Sequence, residues 1–137
     1  MRRPQYHIAT IIGVMLTSSC RSSTAVEDPV AASCSGNIMI AVTPGTTPVI
    51  SWSPRCGISY LVVETVPGPG AAPAAMWSFY VPEQQPIGPS IVYGQAPLRA
   101  TSNSPQPLHA GTKYRVRAGQ TVGLDASVAD GVTEFTP

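Results

Sequence analysis

A chain of 137 residues, 43% hydrophobic and 11% charged, is long enough for one packed domain, too short for two ordinary ones and too apolar to remain unfolded. Fifteen prolines and twelve glycines exclude long helices, because proline removes a backbone donor and glycine raises the entropy of the unfolded chain. A formal net charge of +1 excludes a general electrostatic attraction for nucleic acid or anionic lipid.

The first twenty residues have the layout of an export signal. Arg2 and Arg3 form a basic start, residues 8–16 are uncharged and mostly apolar, and Thr17, Ser18 and Ser19 lead to Cys20. This nine-residue run is about half of the roughly 20 residues that span a bilayer as a helix, so no transmembrane anchor is expected. Small residues ending in cysteine resemble a bacterial lipobox. The resemblance implies that residues 1–19 are a lipoprotein signal peptide and that Cys20 is acylated, begins the mature chain and holds it to a membrane. The lipobox places Leu three residues before the cysteine; here Thr17 stands there and Leu16 lies one step further back. Two alternatives stay open: ordinary cleavage near Ser23-Thr24-Ala25, which would discard Cys20 and release a secreted soluble protein, and a buried N-terminal helix. Removal of residues 1–19 leaves six basic side chains against seven acidic ones, a net charge of −1.

Residues 20–36 are rich in Ser, Ala and Thr and read as a flexible tether. Residues 37–43 then alternate, with Ile38, Ile40 and Val42 on one face and Met39 and Ala41 on the other, as a strand covered on one side and partly so on the other. A Pro44-Gly45 turn ends it. Residues 49–53 and 58–65 give the second and third strands, separated by Pro54-Arg55-Cys56-Gly57. Residues 67–75 read as an exposed Pro/Gly/Ala loop. Residues 76–81 form a fourth strand with Trp77, Phe79 and Val81 on one face; residues 91–93 form a short fifth, and residues 98–101 read as an extra edge piece. Residues 112–118 alternate most clearly, with Tyr114, Val116 and Ala118 inward and Lys113, Arg115 and Arg117 outward. Residues 119–131 read as a loop with a type I′ turn at Asp130-Gly131, and residues 132–136 as the last strand. Seven short strands with turn signals between them predict an all-β, antiparallel, immunoglobulin-like sandwich over residues 37–137.

Three cysteines are present. With Cys20 lipidated, Cys34 and Cys56 remain, and exported domains favour disulfides. Pro44-Gly45 lies midway between them, so an antiparallel hairpin would bring the pair together at its open end. That disulfide would close a loop of about 22 residues, worth about 3 kcal/mol in the chain-entropy account. The alternative is two free thiols. Metal binding is disfavoured by the lack of a Cys-x-x-Cys pair and by His109 being the one histidine beyond the signal segment.

Two stretches resemble fibronectin type III domains. One is Ile50-Ser51-Trp52-Ser53-Pro54, where the family carries a core Trp on the second strand with an apolar residue two positions earlier. The other is Leu108-His109-Ala110-Gly111-Thr112-Lys113-Tyr114, similar to the Leu-x-Pro-Gly-Thr-x-Tyr corner before the sixth strand; Ala110 stands in the place of Pro. The resemblance implies that Trp52, Leu108 and Tyr114 are core residues and that the Tyr114 hydroxyl bonds back to the connection. The whole chain resembles small bacterial lipoproteins built on this kind of domain.

No catalytic set emerges. The seven carboxylates are scattered, no Gly-x-Ser-x-Gly elbow or calcium loop is present, and His109 falls on the corner loop. No enzyme activity, metal or cofactor is expected. The basic stripe reads as a solvated face that discourages edge pairing, with acidic polymers as the sharper alternative. Trp77, Tyr80 and Tyr93 are the aromatics available for a binding surface, although core packing is the better reading of Trp77. The expectation is a non-enzymatic lipoprotein of the bacterial cell envelope, acting as an interaction or spacer module through the loops at 67–75 and 119–131. Its partners would be a membrane, through the lipid, and an envelope protein or polysaccharide, with no nucleic acid. The alternative is a carbohydrate-binding accessory domain using exposed aromatics; a small hydrolase is the remote third.

Overall fold

The alternating runs become strands. The structure, a computed structural model, describes residues 32–82, 85–122 and 126–137. Among these residues there are nine strands and no helix: β1 (Gly36–Asn37), β2 (Met39–Val42), β3 (Val49–Ser53), β4 (Tyr60–Thr65), β5 (Ala75–Tyr80), β6 (Ser90–Val92), β7 (Thr101–Ser102), β8 (Tyr114–Val122) and β9 (Ala126–Phe135). They form a six-stranded sheet in the order β1-β9-β8-β4-β5-β7 and a three-stranded sheet in the order β2-β3-β6. Every neighbouring pair is antiparallel except β1 with β9, which is parallel. The all-β, two-sheet expectation holds. Nine strands with one parallel pair replace the seven antiparallel strands expected.

Side chains from the inner faces fill the space between the sheets. Ile50 and Trp52 come from β3, and Leu61, Val63, Trp77, Phe79, Tyr114, Val116 and Ala118 from β4, β5 and β8. Period-two alternation puts each of these inward and its neighbours outward. The Trp52 indole N–H donates to the Cys56 carbonyl at 2.8 Å, so the ring is buried without stranding its donor. Cys56 is joined to Cys34, with 4.8 Å between the Cα atoms. The disulfide closes the open end of the antiparallel β2–β3 hairpin, where the Cys34 N–H also donates to the Gly57 carbonyl at 2.9 Å.

The stretch 37–43 is two strands rather than one. Residues 36–37 pair with β9 in the large sheet, and residues 39–42 pair with β3 in the small one. Ile38 is the crossing point, its N–H donating to the Asp130 carbonyl at 3.0 Å. A Cβ added at Gly131 would lie 2.3 Å from the Ile38 carbonyl oxygen. Gly131 is therefore an interior strand position kept bare for a passing backbone, not the end of a type I′ turn. Residues 119–131, expected as a loop, are largely the extended β8–β9 hairpin, whose pairing continues to Val122↔Ala126; residues 123–125 lie outside the described residues.

The corner before β8 is held by one side chain and one backbone bond. Leu108 is buried, and the His109 N–H donates to the Tyr114 hydroxyl at 2.9 Å. Gly111 has φ +79°, a left-handed conformation that glycine adopts without a Cβ penalty.

Gly131→Ala should destabilise the fold by about 1–3 kcal/mol, because backbone rather than a side-chain tip must move; an unchanged urea midpoint would refute the crossing. Thiol titration of the denatured, unreduced domain should find no free thiol at Cys34 or Cys56. Reduction should cost about 3 kcal/mol for a loop of this length, and equal stability of the reduced and oxidised forms would contradict it.

Candidate functional site

Strand parity decides which aromatics can meet a ligand. On β5, Trp77 and Phe79 point inward and Tyr80 outward. Trp77 is 0% exposed, its ring centroid 5.5 Å from Phe79 and 5.4 Å from Tyr93. Tyr93 is also buried, and its hydroxyl donates to the Gln106 carbonyl at 2.6 Å. Neither Trp77 nor Tyr93 offers a ring face to a ligand, which corrects their place among the candidate binding aromatics. Tyr80 is 55% exposed. Trp52, Leu108 and Tyr114 are buried, as expected of core residues. Cys20, the expected signal segment and the expected tether up to residue 31 lie outside the described residues.

Tyr80 has a partner that the sequence reading did not single out. The β4–β5 register sets Tyr60 opposite Tyr80, and the rings lie 6.4 Å apart with 25° between their planes. Tyr60 is half-buried because it leans across the neighbouring strand. A Cβ at Gly119 would fall 2.7 Å from the Tyr60 Oη and 2.9 Å from its Cε1. Glycine at 119 thus makes room for the phenol over β8. Period two already places Tyr60 opposite in sense to Leu61. Its pairing with Tyr80 was not legible, because it depends on a nine-residue connection, 66–74, and on the register shift at Val63/Glu64.

The same outer face carries charge beyond the tyrosines. Glu64, Arg115 and Glu134 are in register across β4, β8 and β9. Arg115 lies 3.7 Å from Glu64 and 3.2 Å from Glu134, and Lys113 lies 3.6 Å from Glu134. Two members of the basic stripe are therefore neutralised by carboxylates. Arg117 is exposed, set between Val62 and Val132, and no carboxylate within 4.0 Å of it is found among the described residues. The stripe does not guard an edge, as β8 lies between β4 and β9 in the sheet interior.

His109 is exposed on the corner, where its backbone serves Tyr114. Among the described residues no three of His, Cys, Asp and Glu lie close enough together to hold a metal ion. The feature defined by the geometry is an outer sheet face of a two-sheet β-fold that carries two phenol rings and an exposed cation. No protein family, curated protein or solved structure matches the chain.

Burial pushes the Tyr93 phenol up from 10.0 to about 12, with Tyr114 adding to the rise. Between pH 10 and about 12 the unfolded phenol ionises while the folded one stays protonated. Stability present below pH 10 is therefore lost as pH rises through that window. Denaturation between pH 10 and 12 should show a steeper loss for the wild type than for Tyr93→Phe; parallel slopes would overturn the assignment.

Proposed function

We propose that this chain is a non-enzymatic lipoprotein of the bacterial cell envelope, and that its sandwich is a fibronectin type III-like interaction module held to a membrane through acylated Cys20. The observation that carries the exported reading is the Cys34–Cys56 disulfide, a bond that persists in oxidising compartments and is rare where thiols are kept reduced. It agrees with the signal layout ahead of Cys20. The fold reading draws on the strand order. Without the two-residue strands β1 and β7, three strands, β2-β3-β6, face four, β9-β8-β4-β5. The core Trp then sits on the second strand and the tyrosine corner precedes the sixth, which is the pattern of the resembled family.

A second reading, a carbohydrate-binding accessory domain, is favoured by one observation: exposed Tyr80 lies beside Tyr60 on an outer sheet face. The module would use that face instead of its loops. The expected contact loop 119–131 is mostly paired strand.

Expression in a bacterial host with a labelled fatty acid tests the anchor. The wild type should carry label and fractionate with membranes, and Cys20→Ala should do neither. Label retained by Cys20→Ala would sink the proposal.

A further inference from the structure

We infer that the outer face of the six-stranded sheet binds an acidic pyranose polysaccharide, with Tyr60 and Tyr80 stacking on sugar rings and Arg117 pairing with a sugar carboxylate. The inference rests on the carbohydrate-binding reading and names its ligand class.

The register assembles the site. Thr101, Tyr80, Tyr60, Gly119 and Asp130 are successive partners across β7, β5, β4, β8 and β9. At the roughly 4.8 Å spacing of paired strands, this row is about 19 Å long, a linear track rather than a pocket. Its centre is aromatic, formed by the paired rings of Tyr60 and Tyr80. The two rings are near-parallel, 25° apart, and Tyr60 is laid over the backbone at Gly119. Its ends are polar, with Thr101 at one and Asp130 at the other, both exposed. A pyranose has matching features: a C–H face that packs on an aromatic ring, and a rim of hydroxyls that hydrogen-bond to flanking polar groups.

Arg117 supplies the acidic preference. It lies two pairs further along β8 than Gly119, on the same face, opposite Val62 on one side and Val132 on the other. Val132 is 56% exposed. Flanking valines leave the guanidinium fork without the carboxylates that neutralise Lys113 and Arg115. A planar fork without a partner matches a carboxylate in bidentate geometry. Asp130 and Arg117 lie on the neighbouring strands β9 and β8, toward the same end of the track, so the sugar carboxylate is placed on the flank of the row that carries Arg117, two residues from Gly119.

Affinity electrophoresis of the purified full chain through gels containing polygalacturonate or a neutral dextran tests the inference. Polygalacturonate should retard the protein, dextran should not, and added salt should weaken the effect by screening. Tyr80→Ala should lower affinity about tenfold or more. Arg117→Gln should do the same and abolish the salt dependence. Tyr60→Ala should weaken binding, with melting curves checking that it folds. Lys113→Gln removes the same charge away from the track and should bind like the wild type. Equal retardation by both polymers, equal loss in Lys113→Gln and Arg117→Gln, or no retardation of a folded chain would overturn the inference. A chain that is acylated but not retarded refutes the ligand and leaves the anchored reading standing. Retardation without acylation refutes the anchor and leaves the ligand.

Discussion

The rest of the structure depends on how one indole is satisfied. Trp52 fills the space between the sheets, and an indole N–H buried without an acceptor would cost about 1–3 kcal/mol. Its acceptor is the carbonyl of Cys56, so the residue that completes the core also belongs to the disulfide. Cys34, on the other side of that bond, exchanges backbone hydrogen bonds with the same turn: its N–H reaches Gly57, and the Gly57 N–H reaches Ala32. Core packing, covalent linkage and backbone pairing thus fix the same few atoms. From there the chain enters β1, crosses at Ile38 against bare Gly131, and places β2 on the opposite sheet.

The outer face of the large sheet divides in two. Lys113, Arg115, Glu64 and Glu134 form a connected network at one end. Exposed ion pairs contribute little to stability, but Glu64 is almost buried, and a buried carboxylate needs a cation. Arg115 serves that need, which makes its part of the stripe structural. Arg117, one period further along, has no such duty. Two residues of identical type on one strand thereby have different roles, set by whether the residue across the strand is Glu64 or Val62.

Much of the fold was legible in the sequence because alternation survives without tertiary context. The strand at 49–53 matches β3 residue for residue, and Trp52, Leu108, Tyr114 and the cysteine pair fell where expected. Failures arose where pairing overrode composition. Residues 119–131 contain Gly, Asp, Ala and Ser, poor strand formers by themselves, yet β8 and β9 pair through most of that length. Apolar residues on both faces of 37–43 suggest one strand covered on one side and partly on the other, whereas the chain changes sheets midway. Of the candidate site, Tyr80 was named and Arg117 lay within a recognised stripe. Tyr60 was passed over, since its significance is a matter of register across a long connection with a bulge.

Long connections are usually regarded as slack, but the one from Tyr93 to the corner works as a seam. Tyr93 ties its hydroxyl to Gln106, the Gln106 N–H bonds to the Met76 carbonyl, and Asn103 bonds to Ser78. The segment thereby lines the free side of β5, while β1 pairs with β9 at Ala129 and Asp130. Both margins of the large sheet are partly occupied by the chain itself, and the margins of the small sheet, β2 and β6, are four and three residues long. Strand margins are where like domains stick to one another when crowded. A crowded layer of such domains would find little backbone to zip together, and the broad outer face would remain free to meet something else.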